Sequence, residues 1–253
     1  MSTQFTRTEM MFGKDGIERL RNAHVAVFGI GGVGGHVVEA LVRSGVGRIT
    51  LIDNDRVAES NLNRQIIATQ QTIGMDKVDA MAERIMVINP KAVVVGYKVF
   101  YGPDTADLFD FAEYDYVVDA IDSVTGKIEL AVRAAAAGVP LISSMGAGNK
   151  VDPTAFEVTD IYRTSVCPLA RVMRRELKKR GIEKLKVVYS KEEALTPLNQ
   201  TEEGRKRLSP ETLAEAEAAD GRRQVPASNA FVPAVAGLII AGEVIKDLTG
   251  FSR

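Results

Sequence analysis

The stretch from Val27 to Val57, VFGIGGVGGHVVEALVRSGVGRITLIDNDRV, constrains the fold more than any other part of the chain. An apolar run enters Gly29-Ile30-Gly31-Gly32-Val33-Gly34, a helical segment follows, and a second apolar run ends on Asp53. This is G-x-G-x-x-G with an acid at the spacing of a strand–helix–strand nucleotide cradle. Backbone N–H groups at a helix N-terminus attract phosphate, and glycines let it come close. The loop alone does not separate NAD from ATP, because both carry ribose hydroxyls for Asp53. The same glycines would also serve to pack a strand tightly on a helix.

The rest of the chain extends that unit. Short β-rich runs fall at 23–30, 48–53, 92–99, 114–121 and 139–143, and helical periods lie between them at 76–88 and 127–137. This alternation predicts a Rossmann-like, doubly wound α/β fold with a mostly parallel sheet over residues 1–150. Beyond Asp152 the rhythm changes. Residues 155–161 and 184–190 alternate as half-exposed antiparallel strands around an amphipathic helix, CPLARVMRRELKKRG, closed by Gly181. Residues 191–228 mix Pro, Gly and charge and predict a mobile loop, with a short helix around 211–219, suited to act as a lid. FVPAVAGLIIAGEVIKDL predicts a C-terminal core helix, since its apolar run falls short of the ~20 residues that span a bilayer. Residues 151–253 are thus an extension of the 1–150 core within one continuous domain.

Composition narrows the class. The chain has 253 residues, 45% hydrophobic and 26% charged, with a formal charge of −1. Those values describe an ordinary soluble globular protein, and exclude one that is basic overall. One cysteine, Cys167, forms neither an internal disulfide nor a Cys-rich zinc site, and it points to a reducing cytoplasm. The N-terminus has no apolar segment of a signal peptide. Cys167 reads as a packing residue, and His24 and His36 are assigned no catalytic role.

More specific chemistry follows the second strand. Asn61, Asn63, Arg64 and Gln65 cluster after Asp53 and Asp55, and an arginine can fork onto phosphate oxygens. Lys77 stands in the first turn of a helix, where it opposes the dipole. It is either a charge aimed at phosphates or an ordinary surface lysine. The run Val118–Ser123 ends a strand with two acids, where Asp122 could hold Mg²⁺ against phosphates. Alternatively Asp122 or Ser123 only caps the next helix.

In order, G-x-G-G-x-G, D-x-D, N-L-x-R-Q, G-x-x-K and D-x-x-D resemble the motif set of the ubiquitin-activating-enzyme-like adenylyltransferases. That family activates a carboxylate with ATP, releasing pyrophosphate. The resemblance implies that Gly29, Gly31, Gly32, Val33 and Gly34 with Asp53 and Asp55 hold ATP. It assigns Asn61, Arg64 and Lys77 to the triphosphate and Asp122 to Mg²⁺, with Gln65 and Ser123 also in the ATP site and Arg7, Arg64, Lys77 and Asp122 as the catalytic set. Arg7 resembles an N-terminal arginine that reaches the partner subunit's ATP, which implies a homodimer.

The second half resembles the tRNA-modifying branch of that superfamily, from SSMGAGNKVDPTAFEV to the C-terminal helix. That branch adenylates the threonyl carboxylate of threonylcarbamoyladenosine next to the anticodon, and the side chain then cyclises with loss of AMP. The implied cofactors are ATP and Mg²⁺, without zinc. A sulfur-relay protein is a further candidate partner, and no membrane anchor is expected. For tRNA, Arg171, Arg174, Arg175, Lys178, Lys179, Arg180, Lys184 and Lys186 offer a basic surface, which is otherwise a solvated face. Arg205, Lys206 and Arg207 in the loop extend it. The alternatives are activation of a sulfur carrier's C-terminus, an NAD(P)-dependent oxidoreductase, and a non-catalytic nucleotide sensor.

Overall fold

A computed structural model describes residues 3–218 and 226–251. Seven strands form one sheet in the order β3-β2-β1-β4-β5-β7-β6. They are β1 (His24–Phe28), β2 (Arg48–Ile52), β3 (Val93–Tyr97), β4 (Tyr116–Asp119), β5 (Leu141–Ser144), β6 (Phe156–Asp160) and β7 (Lys186–Ser190). Helices α1 (Thr6–Asn22), α2 (Gly34–Ser44), α3 (Lys77–Ile88), α4 (Val124–Ala137) and α5 (Pro168–Lys179) join or flank them. Short α6 (Glu202–Arg205), α7 (Pro210–Ala218) and the long α8 (Val232–Thr249) complete the chain.

Continuous apolar runs make the inner strands. All of β1 and β4 is buried, because helices cover both faces. Side chains alternate across the sheet, so Val25 and Val27 pack with α2, α3 and α8, while Ala26 and Phe28 pack with α4 and α5. Strand order reverses between β1 and β4, and the glycine loop leaves β1 at that point. The crevice at the carboxyl ends of these strands is where such a sheet binds ligands.

Two expectations change. Only β6 runs antiparallel; β7 pairs parallel with β5 and antiparallel with β6. Helix α5 returns the chain across the sheet, so β7 continues the parallel winding and its last four residues are buried. In the segment 191–228 the short helix expected around 211–219 is α7, and the unexpected additions are α6 and the bonds that tie the segment to Asn149. Leu195 N–H donates to the Asn149 carbonyl at 2.8 Å, and Ala227 N–H donates to Asn149 Oδ1 at 2.7 Å. Residues 219–225, part of the expected lid, lie outside the described residues. Helix α1 has no counterpart in the sequence pattern, because Gly13 interrupts it in the left-handed region at φ 72°. No described helix is long and apolar enough to cross a membrane, and α8 is largely buried.

His24 gives this core a titratable member. Its Nδ1 donates to the Glu113 carbonyl and its Nε2 accepts from the Thr50 hydroxyl, each at 2.8 Å, which fits a neutral ring. Burial lowers its pKa below 6.5. A lowered folded-state value means its stabilisation is present above pH 6.5 and is lost as the pH falls through the lowered value. Unfolding in urea at pH 7.5 and 5.5 should therefore show a smaller acid-induced drop in midpoint for His24→Asn than for the parent. Equal drops would assign the acid sensitivity to other groups.

Candidate nucleotide site

The glycine loop is held by three strands. Gly29 N–H donates to the Ile52 carbonyl at 2.8 Å, and Ala120 N–H donates to the Phe28 carbonyl at 2.8 Å. Gly29 has φ 88°, and a Cβ there would lie 2.6 Å from the Ala120 carbonyl oxygen. At Gly34 a Cβ would lie 1.8 Å from the Gly29 carbonyl oxygen. These two positions require glycine for packing. Gly31 is different: a Cβ there would meet nothing nearer than Gln65 Nε2 at 3.9 Å, so its face is open. The N–H groups of Gly31, Gly32 and Val33 find no acceptor among the described residues, and Val33 begins α2 without a side-chain cap. An uncapped helix N-terminus of this kind is suited to phosphate.

Asp53, at the end of β2, fixes the loop from beside it. Its Oδ2 accepts from Ile30 N–H at 2.6 Å and its Oδ1 accepts from Asp55 N–H at 2.9 Å. Burial raises the Asp53 pKa, opposed by Lys77 and by these two N–H donors. Lys77 lies beneath, 6% exposed, so the surface-lysine reading does not hold. Its Nζ donates to Asp55 Oδ2 at 2.7 Å and stands 3.9 Å from Asp53 Oδ1.

Arg64 completes the cationic side. It is half-buried, and burial lowers its pKa. Its Nη1 donates to the Ser60 carbonyl and to Asn63 Oδ1, both at 2.8 Å, with no carboxylate partner among the described residues. Its Cγ would stand 3.5 Å from a Cβ on Gly32, so it borders the cradle. Asn61 turns its Oδ1 onto Ala58 N–H at 3.2 Å, closing its own loop. Gln65 is buried with its Oε1 unpartnered.

Asp122 is exposed, and its carboxylate makes no bond or ion pair among the described residues. Ser123 does cap α4, accepting from Gly126 N–H at 3.3 Å, so the capping reading holds for Ser123 and not for Asp122. Among the described residues no three His, Cys, Asp or Glu side chains group to hold a metal. One open carboxylate in the turn after β4 is a donor that suits Mg²⁺, an ion that keeps waters as most of its other ligands.

Elsewhere, the predicted residues divide. On α5, Glu176 engages Arg175, Lys179 and Arg180 at 3.2, 2.9 and 3.0 Å. Arg174 bonds the carbonyl and hydroxyl of Thr164, and Lys186 is paired with Asp247 at 2.6 Å. Arg171, Lys178 and Lys184 remain exposed, with no ion pair among the described residues. Arg7 is likewise exposed on α1, and Cys167 is buried at the start of α5. Sequence reasoning missed Lys127 and the role of Asp119, which form a buried ion pair at 3.0 Å beneath the Asp122 turn. Lys127 stands in a first helical turn after an acid, the same signal that drew notice to Lys77.

The family model described as "ThiF family" matches residues 5–253. A tRNA threonylcarbamoyladenosine dehydratase of Bacillus subtilis is 46% identical over 249 residues, 98% of this chain and 95% of that protein. The crystal structure of the E. coli tRNA N6-threonylcarbamoyladenosine dehydratase in complex with ATP superposes with a TM-score of 0.82 at 33% identity, covering 98% of this chain and 94% of that one. An E. coli molybdopterin-synthase adenylyltransferase is 34% identical over 150 residues, 59% of each chain.

Proposed function

The chain belongs to the ThiF family, and we propose on that premise that it is an ATP-dependent tRNA threonylcarbamoyladenosine dehydratase. The observation that carries the reading is the pairing of two desolvated cations, Arg64 and Lys77, with the open N–H groups of Gly31 to Val33. A dinucleotide's diphosphate needs no such pair, whereas a triphosphate that must release pyrophosphate does. The full-length relationship to dehydratases, against the partial match to a carrier activator, favours tRNA as the acceptor.

In this reading the N–H groups of the glycine loop bind the phosphates and Asp53 orients the ribose. Arg64 and Lys77 neutralise charge on the leaving pyrophosphate. Asp122 would hold Mg²⁺, which supplies further neutralisation of phosphate charge. The carboxylate of the modified base attacks the α-phosphorus and pyrophosphate leaves. A nucleophile in the same side chain then attacks the activated carbonyl and AMP departs. Tethering makes the second step unimolecular, so no enzyme nucleophile is required. Arg7 would reach the partner subunit's nucleotide in a homodimer, and the reaction would take place in the cytoplasm.

The test is pyrophosphate release from ATP with modified and with unmodified tRNA. Release should require the threonylcarbamoyl group, and release indifferent to it would overturn the reading. The basic surface can be tested in the same system. Replacing Arg171 and Lys178 together by alanine should weaken tRNA retention for modified and unmodified tRNA alike. The salt slope should fall by about 1 for each phosphate that the missing cations no longer neutralise. Arg174→Ala should instead lower the urea midpoint, because it breaks the bonds to Thr164. An unchanged salt slope in the double variant would move the tRNA surface elsewhere.

A further inference from the structure

Lys127 is a buried ionisable group that none of these steps uses. It is 1% exposed, beside Asp119 at 0%. Its Nζ donates to Asp119 Oδ1 at 3.0 Å, to the Ser144 carbonyl at 2.7 Å and to Ser143 Oγ at 3.5 Å. The Ser143 hydroxyl donates to Asp119 Oδ2 at 2.5 Å. Asp119 Oδ1 also accepts from Ile121 N–H at 3.3 Å. One ammonium therefore joins the carboxyl ends of β4 and β5, and its carboxylate partner holds the turn that leads to Asp122. The same turn abuts the cradle, because the Ala120 carbonyl is the atom that bars a side chain at Gly29.

Stability does not demand this arrangement. A buried ion pair rarely outperforms apolar residues of similar volume, and a lysine in the first turn of α4 opposes the helix dipole. The two strands are already paired through Val117–Leu141, Val118–Ile142 and Asp119–Ser143. What the network adds is a tie from the Ile121 N–H, through Asp119 and Lys127, to the carboxyl end of β5.

We infer that Lys127 is a positioning residue for the nucleotide site, acting through Asp119 to hold the 119–122 turn, and with it Asp122, against the glycine loop. The inference deepens the proposed function and rests on it for the reaction, though the nucleotide geometry it concerns can be read by binding alone.

The experiment compares the parent with Lys127→Met, Lys127→Arg and the double variant Asp119→Leu/Lys127→Met. Each is measured for urea midpoint, for affinity toward ATP with and without Mg²⁺ by titration calorimetry, and for pyrophosphate release on modified tRNA. Lys127→Met should lower the urea midpoint, since it strands a buried carboxylate. The double variant should recover most of that midpoint and yet bind ATP with Mg²⁺ at least tenfold more weakly than the parent. Lys127→Arg should stay within about threefold in affinity. Parental affinity in the refolded double variant would make Lys127 a structural residue only and overturn the inference. If the double variant does not fold, Ser143→Ala decides: several-fold weaker binding at an unchanged midpoint supports the role, and unchanged binding overturns it. A parent that binds ATP but releases no pyrophosphate on modified tRNA would remove the proposed reaction and leave the positioning role to be judged by affinity.

Discussion

Gly34→Ala is expected to abolish ATP binding and to destabilise the fold by about 3 kcal/mol. The new Cβ would stand 1.8 Å from the Gly29 carbonyl oxygen, a backbone atom that cannot rotate away. Gly29 is fixed in turn, by its N–H bond to Ile52 and by the Ala120 carbonyl packed against its Cα. Relief thus requires α2 to back away from β1, which opens the core between them and misplaces the N–H groups of Gly31 to Val33. Gly31→Ala is the informative contrast. Its nearest neighbour would be 3.9 Å away, so the urea midpoint should stay near parental, while ATP affinity falls because the methyl fills the cradle. Calorimetric titration with ATP and urea unfolding on both variants separate the two roles. Parental ATP affinity in Gly31→Ala would mean that phosphate does not approach this glycine.

The contrast between these glycines marks how far the sequence could be read. Its pattern located the cradle, all seven strands and the winding of the first five, because strands covered on both faces are written as continuous apolar runs. It could not distinguish the packing glycines from the open-faced one, since that depends on which backbone atom lies opposite. The direction of β7 was hidden for a related reason. Alternation along 184–190 records that the strand has two unlike faces, not which neighbour it pairs with. Lys77 and Lys127 share one legible anomaly, a cation placed against a helix dipole, and both are buried beside aspartates. The basic run on α5 could be counted but not apportioned. Glu176 engages three of its cations, and Arg174 turns onto Thr164, so only part of that surface faces outward uncompensated. Helix α1 stayed invisible because Gly13 breaks the period that would have marked it.

Asp122→Ala should lower the turnover of pyrophosphate release by about 100-fold or more while leaving the urea midpoint unchanged. The two halves of that expectation have separate grounds. Stability is spared because the Asp122 carboxylate is exposed and unpaired among the described residues, and Ser123, which caps α4, is untouched. Turnover should suffer because, in the proposed reading, Asp122 is the carboxylate that holds Mg²⁺ beside the phosphates, and among the described residues no cluster of three His, Cys, Asp or Glu side chains offers another metal site. The sign of the binding effect is diagnostic. Without Mg²⁺ the carboxylate repels a triphosphate, so the alanine variant should bind ATP as well as the parent or better. With Mg²⁺ the parent should gain affinity and the variant should not, leaving tRNA retention the same in both. Titrating ATP at fixed and at zero Mg²⁺ reads this crossing directly. A variant that keeps both the parental turnover and the Mg²⁺-dependent gain would take Asp122 out of the metal site. The neighbouring acids could not simply replace it, because Asp53 is engaged by two backbone N–H groups and Asp55 by Lys77.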